Sequence, residues 1–219
     1  MRTISILLSI PKTIYFNLRH LPFKQAVKFP IWIHFRTQVR IKGRIEMPKV
    51  VKPAMIRMGF HTCLECNYND ETRLIVDKGG TIIFGGSAHI GRGSKIIVAE
   101  NAKMHLGNNF AISASSTIVS YKKITFGKDI QFSWDCLVMD SDTHTIYGEN
   151  GCISNRPAEI QFGDKIWICN GCMILKGANI PSNSVIGAHS VVSGLHFEEN
   201  SIIAGSPAKT IKEIKGWSL

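Results

Sequence analysis

Residues 140–144 read Asp-Ser-Asp-Thr-His. On an extended chain side chains repeat every two residues, so Asp140, Asp142 and His144 would face the same way. A histidine beside carboxylates suits general-base chemistry. An imidazole titrates near neutrality, takes a proton at one nitrogen and needs an acceptor to hold the other. Such a group can remove the proton from a hydroxyl as its oxygen attacks. His144 is the candidate base and Asp142 the nearest same-face carboxylate to orient it. Asp140, Glu149 and Glu159 are alternatives, and all these acids could equally be solvated loop residues. Cys136 and Cys152 lie close in sequence, which leaves a covalent thiol route as a rival, although neither has the context of a catalytic cysteine.

These residues sit where a repeat breaks. From residue 162 the chain divides into FGDKIW, ICNGCM, ILKGAN, IPSNSV and IGAHSV, opened by Phe162, Ile168, Ile174, Ile180 and Ile186, with Val192 in phase. The fifth position, held by Ile166, Cys172, Ala178, Ser184 and Ser190, is mostly small. A period of six fits neither the 3.6-residue spacing of a helix nor the alternation of a hairpin. It fits an all-β parallel solenoid, in which a short strand on each face carries an inward aliphatic and small, Gly or Asn residues turn the corners. The phase recurs upstream at Phe84, Ile90 and Ile96, at Leu106, Ile112 and Ile118, and at Phe126, Phe132 and Val138. The expected solenoid covers residues 72–206, with a loop extruded at 140–160 where Gly148, Gly151 and Pro157 punctuate the chain. Long loops on rigid scaffolds concentrate function. Residues 207–219 are expected to form a short tail, and residues 1–71, which lack the repeat, an N-terminal cap or membrane-proximal segment.

The composition, 44% hydrophobic and 19% charged over 219 residues, excludes wholesale disorder. Lys plus Arg exceed Asp plus Glu by 26 to 16, which points to an anionic partner. The basic excess lies largely outside the repeats and no recognition motif accompanies it, which argues against nucleic acid. The segment LPFKQAVKFP, between Pro22 and Pro30, can form a basic amphipathic helix. It would either lie on an anionic membrane or cap the open end of the solenoid, the preferred reading. The apolar run ISILLSI is short, is followed by Pro11 and has no small-residue cleavage site, so it reads as retained. No stretch approaches the length of a transmembrane span. The expected location is the cytoplasm, with peripheral contact at the inner face of the membrane. Cys63-x-x-Cys66 and Cys169-x-x-Cys172 could together hold zinc, but they lie about a hundred residues apart and the second pair belongs to the repeat. Buried thiols in a reducing compartment, with no metal, are the expectation. A zinc hydratase would need three histidines in common phase, and His89, His105 and His144 have none.

The run FGDKIWICNGCMILKGANIPSNSVIGAHSVVSG, followed by SIIAGSPAKTIK, resembles the hexapeptide-repeat acyltransferases of left-handed β-helix fold. Among them it is most similar to the galactoside, maltose and polysaccharide O-acetyltransferases. The resemblance implies a homotrimer with active sites in grooves between neighbouring coils, acetyl-CoA as donor and a sugar or polysaccharide hydroxyl as acceptor. Its setting would be bacterial surface polysaccharide synthesis. Acetylation of an amino-sugar nitrogen is the alternative, and a non-catalytic solenoid a different class. His144 stands where the family places its base, whereas His20, His34, His61, His89, His105, His189 and His196 do not. By similarity Asn170 contacts the pantetheine arm, Ala188 offers backbone to it, Ser193 supplies a hydroxyl, and Lys209 and Lys212 face the nucleotide phosphates. Gly194 stands where the family commonly has a lysine, and the segment there is one residue longer. Trp167 is expected to shape the groove, and Asp140 and Trp134 are candidates to bind the acceptor sugar.

Overall fold

Every sixth residue named above is an inward side chain of a short parallel strand, and each stacks on its counterpart one coil away. Phe84 pairs with Leu106, Ile90 with Ile112 and Ile112 with Phe132. Val138 pairs with Ile174, Phe162 with Ile180 and Ile168 with Ile186. All of them are buried. The computed structural model describes residues 2–60, 63, 70–194 and 196–218 (the side chains of residues 2 and 3 excepted). Among these, three sheets of nine, seven and six strands, parallel but for the final strand of the first, form the sides of a triangular coil. Its axis is filled by aliphatics and by an aromatic cluster in which Phe126 and Phe162 stack with centroids 4.4 Å apart.

The corners explain the small and Asn/Asp positions. Asn109, Asp129, Lys165 and Asn183 adopt left-handed backbone, with φ of 59°, 57°, 58° and 54°. Asn and Asp tolerate this conformation because their short side chains bond locally. Asn109 Nδ2 accordingly donates to Asp129 Oδ1 on the next coil at 2.7 Å. Gly107 is required by close approach, since a Cβ there would lie 2.0 Å from the Gly127 carbonyl.

The solenoid begins earlier than residue 72. Strands Ile31–Ile33, Gln38–Ile41 and Arg44–Glu46 already occupy the three sheets, and Ile31, Trp32 and Ile33 pair with Ile56, Arg57 and Met58. Ile33, Val39 and Ile45 keep the six-residue spacing in this first coil, but the connection over 47–55 breaks it before the next strand, Ile56–Met58. At the other end, Ala208–Glu213 is no loose tail but a strand antiparallel to Ser201–Gly205. LPFKQAVKFP holds only the single turn α2, Phe23–Ala26.

The N-terminal cap is α1, Arg2–His20, which runs through Pro11. Its inward side chains bond to the exposed edge of Ile31–Ile33 as a missing strand would. Asn17 Oδ1 accepts from the Ile31 N–H at 3.1 Å and its Nδ2 donates to the Ile31 carbonyl at 2.7 Å. Thr13 Oγ1 accepts from the Ile33 N–H at 3.2 Å, and Ser9 Oγ from the Phe35 N–H at 3.0 Å. The match is metric: four helical residues rise about 6.0 Å and two strand residues about 6.6 Å, so side chains at i, i+4 and i+8 meet alternate strand residues. Asn17→Ala is therefore expected to cost about 2 kcal/mol, because it strands a buried donor and a buried acceptor. Urea denaturation checks it, and a loss below about 0.5 kcal/mol would remove this role for the ladder.

Candidate active site

The extruded loop leaves the second sheet after Leu137–Met139 and re-enters the third at Ile160–Phe162. Asp140 closes its root. The residue is wholly buried, and its Oδ1 accepts from the Tyr121 N–H at 2.6 Å. Its Oδ2 accepts from Ser120 Oγ at 2.9 Å and from the N–H groups of Lys122 and Lys123 at 3.0 and 2.7 Å. Asp140 thus corrects an expectation: it ties a backbone turn together and cannot reach a sugar. The Ala158 N–H donates to the Asp140 carbonyl at 3.1 Å, which brings the two feet of the loop side by side.

Beyond the root the loop is an ordered small hairpin. Tyr147 and Ile153 form an antiparallel bridge, and the Gly148 N–H donates to the Cys152 carbonyl at 2.9 Å. Asn155 clamps its two limbs. The Asn155 Oδ1 accepts from the Ile146 N–H at 2.7 Å, while Nδ2 donates to the His144 carbonyl at 2.7 Å and to Asp142 Oδ2 at 2.9 Å. Lys176, one coil further on, ion-pairs with Asp142 and donates to the Asn155 carbonyl at 3.1 Å. The Lys176 ammonium, and after it the Asn155 amide, hold the Asp142 carboxyl below the usual carboxylate value.

His144 is exposed at the foot of this hairpin. Among the described residues its ring makes no hydrogen bond, and only its backbone N–H meets Asp142, donating to the carbonyl at 2.8 Å. The expected pairing of the Asp142 carboxylate with the imidazole is therefore replaced. Asp142 spends its side chain on Lys176 and Asn155, and so shapes the backbone from which His144 projects. Lys176 and Asn155 were not legible as site residues, because each contacts the loop across a distance that no local motif records. Of the other histidines, His34 is buried; that burial, with Arg92 next, pushes its imidazole down to about 4. His61 and Cys66 lie outside the described residues.

The cofactor candidates occupy a different corner. Trp134, Asn170 and Ala188 follow one another on successive coils where the chain turns from the first sheet to the second. The Gly171 N–H donates to the Trp134 carbonyl and the His189 N–H to the Asn170 carbonyl, each at 3.0 Å. Ala188 is exposed, while Trp134 and Asn170 are half-buried. Trp167 lies outward on the first sheet; its Nε1 donates to Ser133 Oγ at 3.3 Å, and its ring lies 6.3 Å from that of Trp217. Trp217 had no repeat phase to mark it. It is held there by an Nε1 hydrogen bond to the Lys165 carbonyl at 3.0 Å.

Lys209 and Lys212 are three residues apart, a spacing that puts strand side chains on opposite faces. A bulge at Ile211 corrects this: Lys209 pairs with Ala204 and Lys212 with Ile202. Because cross-strand partners share a face, both ammonium groups project outward together. Among the described residues neither forms an ion pair, so the two cations form a donor set suited to phosphate. Ser193 is exposed after the last strand of the second sheet, next to Gly194 with open space around it. It shares the corner of the loop, away from Asn170 and Ala188. One chain therefore separates His144 from the Trp134–Asn170–Ala188 corner.

Cys136 and Cys172 are buried thiols that donate to the Cys169 and Gly187 carbonyls, each at 3.1 Å. Contact with the Cys172 thiol, and after it burial, push the Cys136 thiol up, which removes it as a nucleophile. Cys152 is exposed on the hairpin.

No protein-family model matches this sequence. The chain is 27% identical over 144 residues to WbbJ of Escherichia coli strain K12, named for lipopolysaccharide biosynthesis O-acetyl transfer, covering 61% of this chain and 72% of that one. It is 31% identical over 116 residues to the galactoside O-acetyltransferase of the same strain, covering 52% of this chain and 55% of the relative. The chain thus spans between about half and three quarters of the length of these curated relatives. Among solved structures, the polySia-specific acetyltransferase NeuO superposes with a TM-score of 0.56 at 24% identity, over 84% of this chain and 89% of that chain. The resemblance to hexapeptide-repeat acyltransferases is borne out: the chain is similar in sequence to named O-acetyltransferases and has the left-handed parallel β-helix fold.

Proposed function

We propose that this protein is an acetyl-CoA-dependent O-acetyltransferase that acetylates a sugar hydroxyl during synthesis of a surface polysaccharide. The observation that carries the reading is His144, an exposed imidazole whose ring has no hydrogen-bond partner among the described residues, presented by a hairpin whose backbone is fixed by Asp142, Asn155 and Lys176. In support stand the names of the relatives, which describe O-acetyl transfer to galactosides and in lipopolysaccharide synthesis.

In this reading His144 takes the proton from the acceptor hydroxyl as its oxygen attacks. Acetyl-CoA supplies an acyl group already activated as a thioester. Lys209 and Lys212 hold the nucleotide phosphates, and Asn170, Ala188 and Ser193 line the path of the pantetheine arm. Trp134 and Trp167 offer apolar walls, against which sugars and thioester chains pack. Holding donor and acceptor side by side supplies much of the acceleration, so no covalent enzyme intermediate is required.

The placement of these groups also supports an assembly. His144 and the Trp134–Asn170–Ala188 corner belong to different edges of one triangle, so a groove between two copies brings them together. A homotrimer meets that requirement three times over. The test is a screen of sugars, nucleotide-sugars and oligosaccharides with acetyl-CoA, read as released thiol. The expected product is an ester, cleaved by mild base. A base-stable amide formed only on amino-sugars would replace O- by N-acetylation, and no thiol release with any acceptor would remove the activity.

A further inference from the structure

α1 turns Ser9, Thr13 and Asn17 inward beside Phe16 and most of its apolar residues outward, close to the reverse of an ordinary surface helix. Ser9, Thr13 and Asn17 are engaged with the strand edge. On the opposite side Ile4, Leu7, Leu8, Tyr15 and Leu18 are 63%, 60%, 54%, 67% and 50% exposed. Their spacing follows i, i+3, i+4, with exposed Pro11 between them, so they make one stripe along the length of the helix. A continuous exposed apolar stripe on a chain with an ordinary core marks a contact surface.

Charge identifies what it contacts. The chain has nine Lys and Arg and no Asp or Glu before Glu46. Beside the stripe opens a cavity of about 350 Å³ lined by Lys12, Tyr15, Arg19 and His20, with Val39 and Ile41 behind them. Tyr15 belongs to both features. A second copy of the chain would set this basic flank against a like-charged neighbour, whereas an anionic lipid surface matches the apolar stripe and the cations together. The helix would lie on a bilayer and not cross it. Among the described residues no helix is long and apolar enough to span, and the inner face of α1 is bonded to the coil.

We propose that α1 is an interfacial helix that rests the protein on an anionic phospholipid bilayer, its apolar stripe at the acyl boundary and lipid phosphates at the cavity mouth by Arg19 and His20, beside Lys12, whose Nζ also donates to the Phe35 and Thr37 carbonyls. This inference does not depend on acetyl transfer and would survive its failure. The test is co-flotation of the full chain with phosphatidylcholine vesicles, with or without phosphatidylserine. The protein is expected to float with the phosphatidylserine vesicles, and less so as salt rises. Leu7→Glu/Leu18→Glu is expected to lower the bound fraction roughly tenfold or more without moving the urea midpoint, since both side chains point to solvent. Arg19→Glu is expected to weaken binding to the phosphatidylserine vesicles and reduce its salt dependence. Equal flotation of the double variant, or no preference for phosphatidylserine, overturns the proposal. Failure to float, with self-association that the double variant relieves, assigns the stripe to a second copy and also overturns it.

Discussion

His144→Ala is expected to lower thiol release from acetyl-CoA, in the presence of acceptor, by roughly 10²–10⁴-fold, the usual contribution of a positioned general base. The folded state should be little affected, because the ring is exposed and makes no hydrogen bond within the described residues. That separation makes the measurement decisive: thermal unfolding reports the fold while thiol release reports the chemistry. Binding of acetyl-CoA is expected to persist, since the lysines proposed for the phosphates lie on the strand Ala208–Glu213, far along the chain from the loop. Turnover within a few fold of the parent protein would remove His144 as the base and direct attention to Cys152, the exposed thiol of the same hairpin.

Asp140→Ala is expected to have the largest effect on stability. The carboxylate is wholly buried and accepts four hydrogen bonds, three of them from consecutive backbone N–H groups at Tyr121, Lys122 and Lys123. Alanine takes the shared acceptor from these three part-buried N–H groups and from the buried Ser120 hydroxyl, at a cost on the order of 3 kcal/mol. Asp140→Asn should fall between the two. One amide oxygen can serve the three donors now on Oδ2, but the amide nitrogen would face the Tyr121 N–H, donor against donor. Urea denaturation with linear extrapolation measures both variants. A loss below about 1 kcal/mol for alanine would show that the turn finds other acceptors.

The solenoid was legible because its physics is periodic. An inward side chain at Phe162, Ile168, Ile174 and onward is dictated by the strand geometry of every coil, and each of these residues is buried. The loop was legible by default, as the place where that period fails. What could not be read was contact without period. Asp140 and Asp142 have the same side chain and stand two residues apart, yet one is buried under four donors and the other pairs at the surface with Lys176. The outcome depends on which neighbouring coil each side chain meets. The early coils were hidden because Ile33, Val39 and Ile45 repeat for one coil only before the connection after Glu46 breaks the phase. α1 was hidden because, Phe16 apart, its inward face is polar, so the pattern that normally reveals a packed helix pointed the wrong way. The shared face of Lys209 and Lys212 depends on a single bulged residue, which a spacing of three argues against.

The ladder of Ser9, Thr13 and Asn17 also limits how far the protein can grow. A parallel solenoid is a self-templating object: its last coil presents a row of unpaired N–H and C=O groups on which another chain could add, and repetition of that event makes a filament. On the first sheet that route is closed at both ends. The outermost strand at the start already has the N–H groups of Ile31, Ile33 and Phe35 engaged by helix side chains. The finishing strand, Ala208–Glu213, runs antiparallel and carries Lys209 and Lys212, so a further coil could neither continue the register nor approach without meeting charge. On this sheet the stack is thereby limited to one molecule.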